Sequence, residues 1–167
     1  MIRVAIVTVS DSAVAGTRED RSGPALERRI AELGWSSIER RVVPDEVDEI
    51  SRTLMELAAI VDVALSTGGT GISARDVTPE AVSKIADKEI VGLGEVMRAE
   101  GRKSTKFAPL SRSSAYVHGS TLILTLPGSP RGAVDSLNAV CDLIPHVVDL
   151  LHGRTEHTGT INQKLSS

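Results

Sequence analysis

The string STGGTGISARDVTPEA, Ser66 to Ala81, concentrates the residue types that hold a phosphate. Gly68, Gly69 and Gly71 lack Cβ atoms, so the backbone there can take positive φ and approach a ligand closely. Successive backbone N–H groups in such a loop form a nest for an anion, and Thr67 and Thr70 add hydroxyl donors. The same glycines would also serve a tight strand-to-helix connection with no ligand. Asp76 alters that balance, because a carboxylate beside a phosphate nest is repelled unless a cation lies between them, and Mg2+ is the usual one. Asp76 also precedes Thr78-Pro79-Glu80, where it could cap a helix or close an Asx turn. Asp45, in VVPDEVDEI, carries the same two readings: helix cap or metal ligand. Both stay open.

Commoner templates are absent. No Gly-Lys pair occurs, so there is no P-loop, and no GxGxxG follows the first apolar run. Neither a GxSxG nucleophile elbow nor an HExxH zinc helix is present. His118, His146, His152 and His157 lack metal-ligand spacing. Arg98, Arg102, Lys103 and Lys106 form a basic cluster that reads as a solvated helix face or as an attractor for an anionic substrate.

The elements that must position these residues alternate between strand and helix. Val4 to Val9, Ile38 to Val43, Val61 to Leu65 and Thr121 to Leu126 are short apolar or β-branched runs, read as strands. Helices are expected from Pro24 to Leu33 with Ser22 as N-cap, and from near Asp45 with Val47, Ile50, Leu54 and Leu57 on one face. Others begin at Thr78 and span Leu93 to Ala99; a long one runs from Gly132 to Leu151, where Pro145 should kink or divide it. This order predicts a single doubly wound α/β domain, with a mostly parallel sheet and helices on both faces. It is expected over residues 1–153, with a polar tail from 154 to 167. In such sheets ligands bind outside the carboxyl ends of the strands. The loops Ser10 to Gly23, Ser66 to Thr78 and Pro127 to Gly132 leave strand ends, and Asp45 lies on the same rim.

Composition narrows the function classes. Hydrophobic residues make up 41% of the 167, enough for a sizeable core, but aromatics only 2%, which argues against a stacking surface for single-stranded nucleic acid. A net charge of −3 with scattered signs implies no polyanion-binding face. The lone Cys141 excludes an internal disulfide and reads as a buried, inert thiol. No run approaches membrane-spanning length and no secretory leader is evident, so a cytoplasmic protein is expected.

Six strings together carry a family resemblance: VTVSDS at Val7 to Ser12, DRSGP at Asp20 to Pro24, VPDE at Val43 to Glu46, the glycine-rich string, PLSRS at Pro109 to Ser113, and GSTLILTLPGSP at Gly119 to Pro130. The chain resembles the Mog/MoaB family of molybdenum-cofactor biosynthesis proteins, related to the G domain of gephyrin, over nearly its whole length to about Leu151. The resemblance implies molybdopterin binding and, in active members, transfer of AMP from ATP with Mg2+ to the terminal phosphate of molybdopterin. The product then goes to a molybdenum-insertion partner. Asp45 and Asp76 match the two essential aspartates and are the implied metal ligands. Asp11, Ser12, Thr67, Gly68, Gly69, Thr70, Gly71, Glu95, Ser111, Pro127, Gly128 and Ser129 are implied to line the substrate and nucleotide site. A homotrimer is implied too. Ser129 departs from many eukaryotic G domains, which carry Asn there, and a non-catalytic molybdopterin carrier or assembly scaffold is the alternative to the enzyme.

Overall fold

The computed structural model describes residues 1–154; the expected tail beyond Arg154, His157 included, lies outside the described residues. In chain order the elements are β1 (Arg3–Val9), α1 (Asp11–Val14), α2 (Ser22–Glu32), β2 (Ser36–Val43), α3 (Val47–Ala58) and β3 (Val63–Thr67). There follow α4 (Thr78–Ser83), β4 (Lys88–Glu89), α5 (Val91–Arg102), β5 (Ala115–His118), β6 (Thr121–Leu126), α6 (Pro130–Val140) and α7 (Ile144–Leu151). The six strands form one sheet in the order β2-β1-β3-β6-β5-β4. β2, β1, β3 and β6 run parallel, while β5 and β4 add antiparallel at one edge. The doubly wound α/β expectation holds.

Period-two alternation in the strands builds two separate cores. Val4, Ile6, Val63, Leu65, Leu122 and Leu124 face one side and bury against Leu26 and Ile30 of α2, Met97 of α5, Leu137 of α6 and Val148 of α7. Ala5, Val7, Ala64 and Ile123 face the other side, against Ile50, Leu54 and Leu57 of α3 and Ala81 and Val82 of α4. Both faces are thus covered, as a parallel sheet requires.

Several local expectations need correction. Ser22 lies inside α2 and makes no cap; the Asp20 carboxylate accepts from the Gly23 N–H at 3.0 Å instead. The third strand sits two residues later than the apolar run suggests, ending at Thr67, because its pairing with β1 and β6 sets the register. The short β4 and β5 gave no readable pattern over two and four residues. α5 is longer at both ends than Leu93 to Ala99. Pro145 divides the long helix, since its ring fits only the first turn of α7. Cys141 is half-buried rather than buried, at the C-cap of α6.

Candidate active site

The chain leaves β1 toward β2 and returns past β1 to β3, so the strand order reverses between β1 and β3. A crevice opens outside their carboxyl ends at such a switch point. The glycine loop sits there. Gly68 at φ 102° and Gly69 at φ 66° are left-handed, and a Cβ on Gly68 would strike the Val9 carbonyl at the end of β1. A Cβ on Gly128 would come within 3.2 Å of Gly68 Cα. Thr67 Oγ1 donates to the Pro127 carbonyl at 2.7 Å, and Thr78 Oγ1 to the Gly68 carbonyl at 2.9 Å. The ends of β1, β3 and β6 are therefore held in mutual contact.

The carboxylates on this rim form a specific arrangement. Asp45 Oδ2 accepts from the Asp11 N–H at 3.0 Å, and Asp11 Oδ1 accepts from the Asp45 N–H at 2.9 Å. Asp11 Oδ2 receives Arg75 through Nε at 3.0 Å and Nη2 at 2.7 Å, and Nη2 also reaches Glu46 at 3.3 Å. Burial pushes the Asp45 carboxyl above the ordinary range, and the charges of Asp11 and Asp76 push the same way. The Asp45 N–H and the Arg75 guanidinium hold Asp11 below that range. Asp76 Oδ2 accepts from the Ser73 N–H at 2.9 Å and the Ser73 hydroxyl at 2.7 Å.

The capping readings fail at both aspartates. α3 has Glu46 at its N-cap position and α4 has Val77, neither with a side-chain cap bond. Asp45 is turned toward α1, and Asp76 bonds backward to its own loop. Among the described residues no group of three or more His, Cys, Asp or Glu side chains could hold a metal. Asp45 and Asp76 nonetheless line one cleft, and burial is the main reason the Asp45 carboxyl is raised, with the like charge of Asp76 a lesser one.

Three connected hollows occupy the rim. A cleft of about 560 Å³ is lined by Asp11, Ser12, Asp45, Thr67, Gly68, Gly69, Asp76, Gly128 and Ser129, together with Thr8, Asp20 and Ser22. A second hollow of about 360 Å³ lies between α5 and α6 and is bounded by Met97, Arg98, Phe107, Ala108, Ser111, Pro127, Ser129 and Arg131. A third, of about 350 Å³, joins them and is lined by Thr70, Gly71, Asp76, Phe107, Ser111 and Gly128. The Ser129 hydroxyl accepts from the Gly132 N–H at 3.1 Å, which caps α6 and fixes the wall shared by the first two.

Of the residues singled out from sequence, Glu95 alone is not brought to the rim. It is exposed on α5, whose Leu93, Gly94 and Met97 take the inward face. The basic cluster divides. Arg98 is half-buried at the second hollow and donates to the Ser113 carbonyl at 2.6 Å, whereas Lys103 pairs with Glu100 on the surface at 2.6 Å. Sequence reasoning overlooked Asp20, Arg75 and Arg112, each a charged residue inside one of the strings already noted. Asp20 accepts from Thr8 Oγ1 at 2.9 Å and ties β1 to the start of α2.

A doubly wound domain with a glycine nest and paired aspartates at its switch point is suited to a phosphate-bearing ligand. The family model described as "Probable molybdopterin binding domain" matches residues 5–146, and the chain belongs to that family. It is 38% identical over 156 residues to the molybdopterin adenylyltransferase of Helicobacter pylori, spanning 91% of this chain and 89% of that protein. The molybdopterin adenylyltransferase of Escherichia coli is also 38% identical, over 91% of this chain and 79% of its own length. The solved structure of the molybdopterin biosynthesis enzyme MoaB of Thermus thermophilus superposes with a TM-score of 0.86 at 43% identity. That superposition covers 92% of this chain and 98% of the other.

Proposed function

We propose that this chain is a molybdopterin adenylyltransferase of molybdenum-cofactor biosynthesis, joining AMP from Mg·ATP to the terminal phosphate of molybdopterin. The observation that carries the reading is the pair of unlike hollows that share Ser129 in their walls. The carboxylate-and-glycine cleft suits nucleotide phosphates; the hollow walled by Met97, Phe107 and Ala108, with Arg98 and Arg131 beside it, suits a flat ring carrying an anionic tail. The two substrates would meet at the shared wall.

A molybdopterin phosphate oxygen forms a bond to the α-phosphorus of ATP, the bond from that phosphorus to the β-phosphate bridging oxygen breaks, and pyrophosphate leaves with the electron pair. No protein nucleophile is needed, so the chain's task is positioning and charge stabilisation. Asp45 and Asp76 would hold Mg2+, which neutralises phosphate charge when bound. The amides of Gly69, Thr70 and Gly71 offer the nest, Gly68 spends its own N–H on the Leu126 carbonyl at 3.1 Å, Thr67 braces the loop, and Ser12 and Ser129 line the cleft. Asp11 orients Asp45. A homotrimer in the cytoplasm, handing its product to a molybdenum-insertion protein, completes the proposal.

The test is pyrophosphate release from purified protein with Mg·ATP and molybdopterin, and with each omitted in turn. Release that requires both supports the enzyme. Saturable molybdopterin binding without release would assign the carrier role, and no binding at all would overturn both. Light scattering at micromolar concentration checks the trimer.

A further inference from the structure

Arg112, in the segment between α5 and β5, reaches across to the glycine loop and α4 with all three guanidinium nitrogens. Nε donates to the Gly71 carbonyl at 2.9 Å, Nη2 to the Asp76 carbonyl at 2.7 Å, and Nη1 pairs with Glu80 at the start of α4. Its backbone N–H donates to the Thr70 carbonyl at 2.8 Å. The loop from Thr70 to Asp76 is thereby gripped at both ends by one residue distant in sequence, 41 positions away for the Gly71 contact. The grip has its own anchor: Arg98 of α5 donates to the Ser113 carbonyl at 2.6 Å, and the Ser111 and Ser113 hydroxyls lie 2.8 Å apart.

Gly71 has no side chain with which to hold the loop, and before Asp76 the turn has Ser73 bonded to Asp76 and the exposed Arg75 side chain bonded outward to Asp11 and Glu46. We propose that Arg112 is a positioning residue for the reaction, fixing the glycine loop and the Asp76 backbone so that the Asp76 carboxylate is presented to the cleft at a set place. The inference rests on the reading of Asp76 given above and extends it to a residue that touches no substrate. A planar fork with five donors meets two carbonyls and a carboxylate at once; the point charge of a lysine cannot. Charge alone would therefore not replace Arg112.

The experiment compares Arg112→Lys and Arg112→Ala with the parent protein and with Asp76→Asn. Amide hydrogen exchange in the ligand-free protein reads the loop directly: the hydrogen-bonded loop amides of Ser73, Asp76 and Thr78 are expected to lose protection in both Arg112 variants, while β1 and β3 keep theirs. Turnover is expected to fall about 10–100-fold in kcat, the range found when residues supporting a ligand are removed. The dissociation constant for molybdopterin should stay within about threefold of the parent, since the hollow between α5 and α6 is left intact. Ethylguanidinium in the assay should restore part of the turnover of Arg112→Ala and none to Arg112→Lys, where the cavity is filled. If Arg112→Ala does not fold, Arg112→Lys decides alone. Unchanged exchange and kcat in a folded Arg112→Lys overturns the proposal, and so does a loss that merely tracks the folded fraction. Normal turnover in Asp76→Asn would overturn the reading of Asp76, while the exchange data would still decide whether Arg112 holds the loop.

Discussion

Asp62 and Asp45 stand at opposite ends of the same mostly parallel sheet, one buried and one half-buried and both near an arginine, yet their surroundings push their carboxyls in opposite directions. Asp62, just before β3 at the amino end, is 6% exposed and its oxygens receive Arg3 N–H, Nε and Nη2 at 2.8, 3.2 and 2.9 Å. The Arg3 side-chain bond is the main reason its carboxyl titrates below the usual range. Asp45, at the carboxyl end, has Arg75 nearby, but that guanidinium is bonded to Asp11 and Glu46 instead. Burial and like charge leave Asp45 destabilised as an anion. Asp62 is a carboxylate paired with its arginine; Asp45 keeps one backbone donor and has no ion-pair partner among the described residues, which is the contrast the proposed metal-binding role draws on.

The sharpest way to break the comparison is to neutralise each aspartate with its amide. Asp45→Asn should cost at least about 100-fold in pyrophosphate release, as loss of a charge-stabilising group does, while thermal stability near neutral pH holds or rises because an unfavourable anion is gone. A folded Asp45→Asn with normal turnover would remove the functional half of the contrast. Asp62→Asn should behave in reverse, keeping kcat and losing about 1–3 kcal/mol in denaturant melts, toward the lower end because Arg3 is half exposed.

The same contrast predicts a pH signature. Because the folded pKa of Asp62 is depressed, its contribution is fully present above the unfolded value, about 3.9, and is lost as pH falls through the folded value. Acid melts of the parent and Asp62→Asn should therefore converge in that window. Parallel curves down to the lowest pH would show that Asp62 is not the paired group described here.

Arg75→Ala probes the carboxyl end more gently. It frees Asp11, which keeps its bond to the Asp45 N–H but loses its counter-charge, and kcat should fall about tenfold, the size of a lost supporting contact. The melting temperature should barely move, since Arg75 is more than half exposed. An effect confined to stability would contradict the orienting role of Asp11. The smallest change is expected far from either end: Cys141→Ser, at a half-buried helix end with its Sγ 3.4 Å from the Asn138 carbonyl, should stay within about 0.5 kcal/mol and leave turnover intact.

Local chemistry made much of this protein legible in sequence. Apolar periodicity placed four strands and most helices, and the strand–helix alternation sufficed for a doubly wound domain, because burial on a two- or 3.6-residue period is written in neighbouring residues. The glycine loop was legible for the same reason, since a backbone that must run at positive φ needs glycine wherever it goes. The hairpin of β4 and β5 was not, because strands of two and four residues carry no period. What only tertiary structure decided is how each charged side chain is used. Asp45 reads as a cap or a metal ligand in the string, and Asp62 is only one polar residue inside the apolar run Val61 to Leu65; Asp45 meets Asp11 across 34 positions and Asp62 meets Arg3 across 59. Glu95 is exposed on α5 and lines none of the three hollows, which the string alone does not record, and Arg112 reads as an ordinary arginine until it is seen to hold the glycine loop. The partner of a charge is chosen by the crossing of distant segments, and no local pattern records that choice.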